Sequence, residues 1–403
     1  MNFNVIKDEY HKEIKVPTSK SYANRLLILA ATFKGDVTIQ GLPESSDVKY
    51  MLDCLKKIGL SIKENPQENS VLINNSFPEC ESEKSESVEL ETGDGGTTNR
   101  FLVALLARGK KEYRIHSIGH MQNRPMGELL RILSAHKVTT HFPGKNCWLS
   151  LQGPFQVAKK VIAVDSSETT QFATGLALSF WDHDIKIELE NAESSWKYFD
   201  ITLNLIEDFK KNKVFRIPVD FSSLSYPLAA AFTRGDVLIE NCFERDFDQA
   251  DSALLDILTE IGGNIAWTAK GLRLSSLKKY APIIRDCSDF PDLVPTLVYL
   301  AAYAAGESQL KKIKVLRHKE SDRIEQCLKL LELFAVEHHY DETEDILFIQ
   351  GRLPINESKV FVAPDDHRIV MVSYLFLKMN GGGEIRNSQH VKKSFPNFFA
   401  VME

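Results

Sequence analysis

The sequence predicts an α/β (α+β) protein of two domains, and three observations lead there. The chain has 403 residues, more than one hydrophobic core usually serves. Several helix-length stretches are apolar on every side, which requires burial all round. One order of elements also recurs: residues 34–62, KGDVTIQGLPESSDVKYMLDCLKKIGLSI, run alongside residues 234–265, RGDVLIENCFERDFDQADSALLDILTEIGGNI. Each copy follows a short apolar helix and reads Gly-Asp turn, β-branched strand, acidic loop, amphipathic helix, glycine, strand.

The elements follow in order. The apolar helix NRLLILAATF leads into the first copy, where Val48, Met51, Leu52, Leu55 and Ile58 share one helical face and Gly59 stands where a C-cap belongs. TTNRFLVALLARG is the next apolar helix, with RPMGELLRIL as its amphipathic partner, and TTQFATGLALSF with YFDITLNLIEDF follows. Beyond about residue 220 come SYPLAAAFT, FPDLVPTLVYLAAYAAGE with SDRIEQCLKLLELF, and DDHRIVMVSYLFLKMNGG. That makes six units, three on each side, and implies domains whose inner helices are wrapped by outer helices and sheets. Residues 64–92 are polar and acidic and read as exposed connections carrying a strand or two.

Composition narrows the function. A 43% hydrophobic, 26% charged chain is an ordinary globular one, and a net charge of −6 gives no reason to expect nucleic acid. The six cysteines are scattered without metal-ligand spacing, so reduced thiols are expected. The first residues lack a signal peptide's apolar run, and stretches such as LLILAA are too short to span a bilayer. The expected compartment is the cytoplasm, with no membrane role.

The unusual polar residues share one address, the N-terminal ends of the apolar helices or the loops before the amphipathic ones. PTSKSYANR, from Pro17 to Arg25, places two cations where a buried helix begins. Helix N-termini offer unpaired N–H groups and a positive dipole end, suited to phosphate or carboxylate. Lys20, Arg25, Arg100, Arg124, Lys319, Arg323, Arg368 and Lys393 add charge at such places. Ser21 and Arg25 are four apart and would share a helical face, as would Lys319 and Arg323. For any single arginine the plainer reading is a solvated surface cation; for the whole set it is much weaker.

Other clusters leave two readings open. GDGGTTNR (Gly93–Arg100) is a glycine-rich turn entering a helix, fit for close approach of an anion or for a simple tight turn. Thr169, Thr170 and Gln171 gather at another helix start, where N-capping explains one hydroxyl. Asp292 is a proton-transfer candidate or an N-cap, and Glu320 a proton-transfer candidate or the i,i+3 partner of Arg323. His367 reads as a capping or supporting histidine. No Ser-His-Asp order, HExxH or paired metal ligands appear.

Taken together, these motifs resemble the enolpyruvyl transferase family. PTSKSYANRLLILAA is similar to P-G-S-K-S-x-S-N-R-x-L-x-L-A-A, GDGGTTNRF to G-N-A-G-T-A-x-R, and NRPMGELL to E-R-P-I-G-x-L. TTQFATGLAL, SSWKYFDITLNLIEDF and VDFSSLSYPLAAA match the family's S-S-Q-F, Y-I-D-I-T-L and D-x-S-S-A-S-Y motifs. DFPDLVPTL, LRHKESDRI, DDHRIVM and KKSFPNFF correspond to H-x-P-D, R-V-K-E-T-D-R, D-H-R-M-A-M and K-T-F-P-D-Y-F, completing ten collinear matches from residue 16 to 400.

The resemblance implies a two-domain inside-out α/β barrel of six βαβαββ repeats, three per domain, with the active site in the interdomain cleft. The first domain would span 15–221, and the second 1–14 with 222–403. The implied reaction carries the carboxyvinyl group of phosphoenolpyruvate (PEP) to the 5-hydroxyl of shikimate 3-phosphate and releases phosphate. Carried over by motif, Lys20, Ser21 and Arg25 hold shikimate 3-phosphate, Arg25 on its carboxylate. Thr169, Thr170 and Ser195 take its phosphate, and Asp292 and Lys319 its ring hydroxyls. Lys20, Gly96, Arg124 and Lys393 bind the PEP phosphate, Arg323 and Arg368 its carboxylate, and Gln171 reaches both substrates. Glu320 donates a proton to the PEP methylene, Asp292 accepts one, and Lys20 assists phosphate departure. A monomer acting on small molecules, without cofactor or metal, is expected.

Several residues depart from the family pattern. Thr18 replaces a glycine, Asp94 an asparagine, Phe101 a proline, and Thr169-Thr170 a pair of serines. The sister branch that acts on UDP-N-acetylglucosamine opens with Lys-Asn where this chain has Lys20-Ser21, and carries a reactive-cysteine loop not found here. An inactive repeat scaffold would have lost acids or cations, and both candidate acids and every anion-binding cation remain.

Overall fold

The computed structural model describes residues 1–82, 86–144, 147–192, 194–277 and 279–403. The chain forms two compact units: a middle unit, Thr18–Pro218, and a flanking unit made of Met1–Pro17 with Val219–Glu403. It is a mixed α/β fold of two domains.

In the middle unit three helices form the centre: α1 (Lys20–Thr32), α3 (Gly96–Leu106) and α5 (Gln171–Ser179), each packed on the other two. Every residue of α1 from Tyr22 onward is buried, as is α5 from Phe172. Without a polar face, these helices have no stable place except among apolar neighbours. The outer helices α2 (Ser46–Lys57), α4 (Gly127–Ala135) and α6 (Lys197–Lys211) each bury one stripe. In α2 that stripe is Val48, Met51, Cys54 and Leu55, while Leu52, expected on it, is only partly buried. Gly59 follows the helix at φ +106°, and a side chain there would meet Cys80 O at 2.3 Å, so glycine ends the helix for two reasons.

The flanking unit repeats the plan. Its central helices α7 (Phe221–Arg234), α9 (Val294–Ala302) and α11 (His367–Met379) pack on one another. Around them lie α8 (Ala253–Glu260), α10 (Arg323–Leu333) and the short α12 (Phe398–Met402).

The sheets show the repeat most directly. Strands 214–216, 37–40, 70–73 and 62–65 lie side by side, the first pair parallel and the next two antiparallel. Strands 87–93, 112–117, 149–152 and 139–141 have the same sequence of pairings. So, in the flanking unit, do 10–14, 235–239, 271–275 and 264–268, and again 284–286, 307–311, 346–350 and 337–341. The third sheet is smaller in each unit: 161–165 pairs with 186–190, and 359–362 with 383–386, which also takes strand 2–5. None of the described sheets closes on itself.

Residues 64–92 are less exposed than their composition implies. They supply strands 70–73 and 87–93 and bury Val71, Ile73, Phe77 and Leu90. A few apolar side chains at the right alternation outweigh a polar average. Residues 83–85 of this stretch lie outside the described residues. Among the described residues no helix is long and apolar enough to cross a membrane.

Leu27 on α1 is fully buried, so Leu27→Ala is expected to destabilise the protein by about 2–5 kcal/mol, measured by denaturant unfolding. Leu52→Ala should cost clearly less, and equal losses would contradict the described orientation of α2.

Candidate active site

The unusual polar residues of the middle unit fall into two connected groups, both starting on α1. Ser19 caps this helix by accepting from Tyr22 N. Thr18, standing where the family pattern has glycine, needs no left-handed backbone: it is absent from the positive-φ residues, and its hydroxyl donates to Gly41 O at 2.6 Å.

The first group begins at Lys20, the first residue of α1, whose Nζ donates to Asp47 Oδ2 at 2.9 Å. Asp47 lies in the first turn of α2, almost wholly buried, and its backbone O accepts from Thr98 Oγ1 of α3. Gly95 and Gly96 open α3 without a side-chain cap. The reason for two glycines is space. A side chain at Gly95 would lie 2.5 Å from Asp47 Oδ1, and one at Gly96 would lie 2.5 Å from Arg124 Nη1. The α3 N-terminus is thus flanked by a carboxylate and a guanidinium, leaving its N–H end suited to an anion. Arg100 of the same helix is buried over the Phe172 ring and donates to Gln171 Oε1 (2.7 Å) and Pro125 O (2.9 Å). Gln171 in turn donates from Nε2 to Thr97 Oγ1 at 3.3 Å.

The second group centres on Arg25. Its guanidinium is buried, and its three hydrogen bonds all reach neutral oxygens: Thr202 Oγ1 (2.9 Å), Ser21 O (2.9 Å) and Tyr198 O (2.8 Å). The Phe101 ring lies 5.6 Å below it, so the aromatic that replaces the family's proline supplies a face for this cation. Burial pushes the Arg25 pKa down to about 10, so it remains charged at neutral pH. A buried guanidinium held by neutral groups still attracts an anionic partner. Nearby, Thr170 Oγ1 donates to Ser195 O at 3.2 Å, and Ser195 holds φ +63°, a conformation that costs a serine about 1–3 kcal/mol. Thr169 Oγ1 accepts from Gln171 N at 3.3 Å, while Thr170, the residue at the cap position of α5, makes no side-chain capping bond.

The flanking unit solves its charge differently. Arg323, the first residue of α10, is buried and donates to three carboxylates. Nε reaches Asp366 Oδ2 (2.8 Å), Nη1 reaches Asp292 Oδ1 (2.9 Å), and Nη2 reaches Glu320 Oε2 (2.6 Å). Burial alone would lower its pKa, but Asp366, Glu320 and Asp292 outweigh that and raise it. Arg368 of α11 donates from Nη2 to Asp292 Oδ2 at 2.9 Å and also bonds Ser222 Oγ. Lys319 Nζ is 3.8 Å from Asp292 Oδ1, and Lys393 Nζ is 3.5 Å from Glu320 Oε1. Burial would raise the Asp292 pKa, yet Arg368, Lys319 and Arg323 together hold it well below the usual carboxylate range.

Three expectations are corrected here, and one of the two readings of Glu320 is met. Lys319 and Arg323 do not share a helical face: α10 starts at Arg323, and Lys319 ends the 3-10 turn 314–318. Their proximity comes through Asp292. Asp292 is not a helix cap, being the middle residue of the turn Pro291–Leu293, with its carboxylate spent on cations. His367 does not cap α11; Asp366 does, accepting from Arg368 N. The i,i+3 salt bridge weighed for Glu320 is formed. Asp47 and Asp366 were not singled out from the sequence, although Asp366, directly before His367 and an apolar run, stands where an N-cap belongs.

The chain matches a family model described as EPSP synthase (3-phosphoshikimate 1-carboxyvinyltransferase) over residues 6–212 and 209–402. It is 30% identical over 417 residues to a 3-phosphoshikimate 1-carboxyvinyltransferase of Syntrophobacter fumaroxidans, covering 97% of this chain and 96% of that one. A protein of the same description from Archaeoglobus fulgidus is 30% identical over 429 residues, covering 100% and 98%. In fold it is similar to an EPSP synthase structure from Acinetobacter baumannii, with a TM-score of 0.77 at 22% identity over 99% and 97% of the two chains.

The depressed pKa of Asp292 sets an acid limit. The folded value lies below the unfolded one, so its ion pairs stabilise fully above about pH 4 and weaken as pH falls from there toward the folded pKa. Denaturant unfolding at a series of pH values should show stability dropping below about pH 4, with a shallower drop in Asp292→Asn. Parallel curves would mean that the pairs contribute nothing.

Proposed function

The chain belongs to the EPSP synthase family, and from that membership we propose that it transfers the enolpyruvyl group of PEP to the 5-hydroxyl of shikimate 3-phosphate, releasing phosphate. The observation that carries this reading is a single cluster in which Asp292 bridges Arg323 and Arg368, Glu320 accepts from Arg323, and Lys319 lies 3.8 Å from Asp292. Proton-transfer groups and carboxylate-binding forks in one cluster are what PEP addition to an alcohol needs.

In this reading Arg25, with Lys20 and Ser21, receives shikimate 3-phosphate, its two remaining N–H groups facing the carboxylate. Thr169, Thr170 and Ser195 bind its phosphate, and Lys319 and Asp292 its ring hydroxyls. The PEP phosphate lies against Lys20, Arg124, Lys393 and the N–H end at Gly96, its carboxylate against Arg323 and Arg368, and Gln171 is held by Arg100 to reach both ligands.

The chemistry follows from the assignments. Glu320 protonates the PEP methylene while Asp292 takes the proton of the attacking hydroxyl, whose oxygen bonds the central carbon. The tetrahedral intermediate then loses phosphate, with Lys20 balancing the leaving charge, and a methyl proton. Acid–base groups contribute about 10²–10⁴-fold each; positioning and fixed cations supply the rest.

We also read the six units as βαβαββ repeats, three per domain, each domain an inside-out α/β barrel with helices at its centre. The mutual packing of α1, α3 and α5, and of α7, α9 and α11, supports this. A cytoplasmic monomer completes the reading.

Phosphate release from PEP with shikimate 3-phosphate tests the activity, with UDP-N-acetylglucosamine as control; no release with the former would overturn it. Arg25→Ala should raise KM for shikimate 3-phosphate, and Arg124→Ala that for PEP, each about 10- to 150-fold. Equal effects on both substrates would undo the assignment. Glu320→Gln should lower kcat by about 10²–10⁴-fold.

A further inference from the structure

Asp292 bridges the two arginines assigned to the PEP carboxylate. Its Oδ1 accepts from Arg323 Nη1 and its Oδ2 from Arg368 Nη2, each at 2.9 Å. One carboxylate spanning two guanidinium forks is the geometry in which such a pair receives a ligand carboxylate. Asp292 thus stands in the place that this reading gives to the carboxylate of PEP.

The arginines do not depend on Asp292 for their position. Arg323 is also held by Asp366, which is fully buried and caps α11, and by Glu320. Arg368 is also held by Ser222, and its backbone N–H by Asp366. Asp292 is the member with room to leave: its side chain is 23% exposed, against 1% for Arg323 and 8% for Arg368. It sits on a three-residue turn rather than inside a helix. The cluster joins Lys319, Arg323, Arg368 and Lys393 to Asp292, Glu320 and Asp366.

We propose that Arg323 and Arg368 are a ligand-operated lock on Asp292: the carboxylate of PEP replaces that of Asp292 between them and frees it to act as the base. This rests on reading the two arginines as the PEP carboxylate receptor. Once freed, Asp292 loses two guanidinium neighbours, and its affinity for a proton rises. It then accepts the proton of the attacking hydroxyl as the new C–O bond forms and Glu320 delivers a proton to the methylene. The hydroxyl substrate alone meets a base that is occupied, so proton abstraction waits for PEP.

A self-occupied site binds its ligand more weakly by the fraction of time it is open. Calorimetric titration of PEP alone into the protein should therefore show Asp292→Asn binding about tenfold or more tightly than the wild type, while its turnover is lost. Glu320→Gln removes the same charge from the same cluster without removing the bridge, and its gain should be several-fold smaller. Equal gains in the two variants, or none in Asp292→Asn with a native circular dichroism spectrum, would overturn the lock. Should the variant misfold, a crystal structure of the wild type with PEP decides. The lock requires the Asp292 carboxylate to have left both arginines, and a retained bridge refutes it. Failure of the lock with wild-type turnover intact leaves the proposed function standing; absence of turnover and of PEP binding removes both.

Discussion

The flanking unit depends on one buried guanidinium. Arg323 joins Asp292 before α9, Glu320 before α10 and Asp366 at the start of α11. A charge placed so deep is tolerable only because oxygens meet it on several sides. Those oxygens come from separate segments of the chain, so the ion cluster fixes where the helices begin as firmly as the apolar packing fixes where they run. Removing any one partner leaves the others with an uncompensated charge. The groups that hold this end of the fold together are therefore the same ones to which we assign the chemistry.

The middle unit reaches a comparable density of cations by another route. Arg25 is held by carbonyl and hydroxyl oxygens and by an aromatic face. Neutral partners fix a guanidinium's direction without cancelling its charge. One unit thus presents forks already bridged by a carboxylate, the other a fork that still lacks one among its described partners.

Much of this was legible in the amino-acid order. Helices with no polar side had to be central, as α1 and α11 are, and one-faced helices had to lie outside them. Cations at helix starts gave reason to expect an anion site, and Lys20 and Arg25 do lie at the start of a helix that is otherwise apolar. Partnerships across the chain were not legible. Nothing local marks Asp47 as the partner of Lys20, or Asp366 as that of Arg323, since each pair is made by tertiary packing. Lys319 and Arg323 show the opposite failure: a four-residue spacing means a shared face only if the intervening residues are helical, and 319–322 are not. Thr18 looked anomalous only because a glycine suggests a left-handed turn, which this backbone does not make.

Strand 2–5 lies beside strand 383–386, with Asn2 bonding Glu384 across 382 positions of sequence. Strand 10–14 likewise pairs with 235–239. On a ribosome adding about 5–20 residues per second, the first strand emerges about 20–75 s before its neighbour exists. The middle unit, whose strands and helices all lie between residues 18 and 218, is complete long before then. Nascent chains would therefore carry a finished domain followed by an unfinished one, with an unpaired strand waiting at the front. The edge of strand 383–386 that takes strand 2–5 is thus the last to find its partner, although that partner is the first strand made.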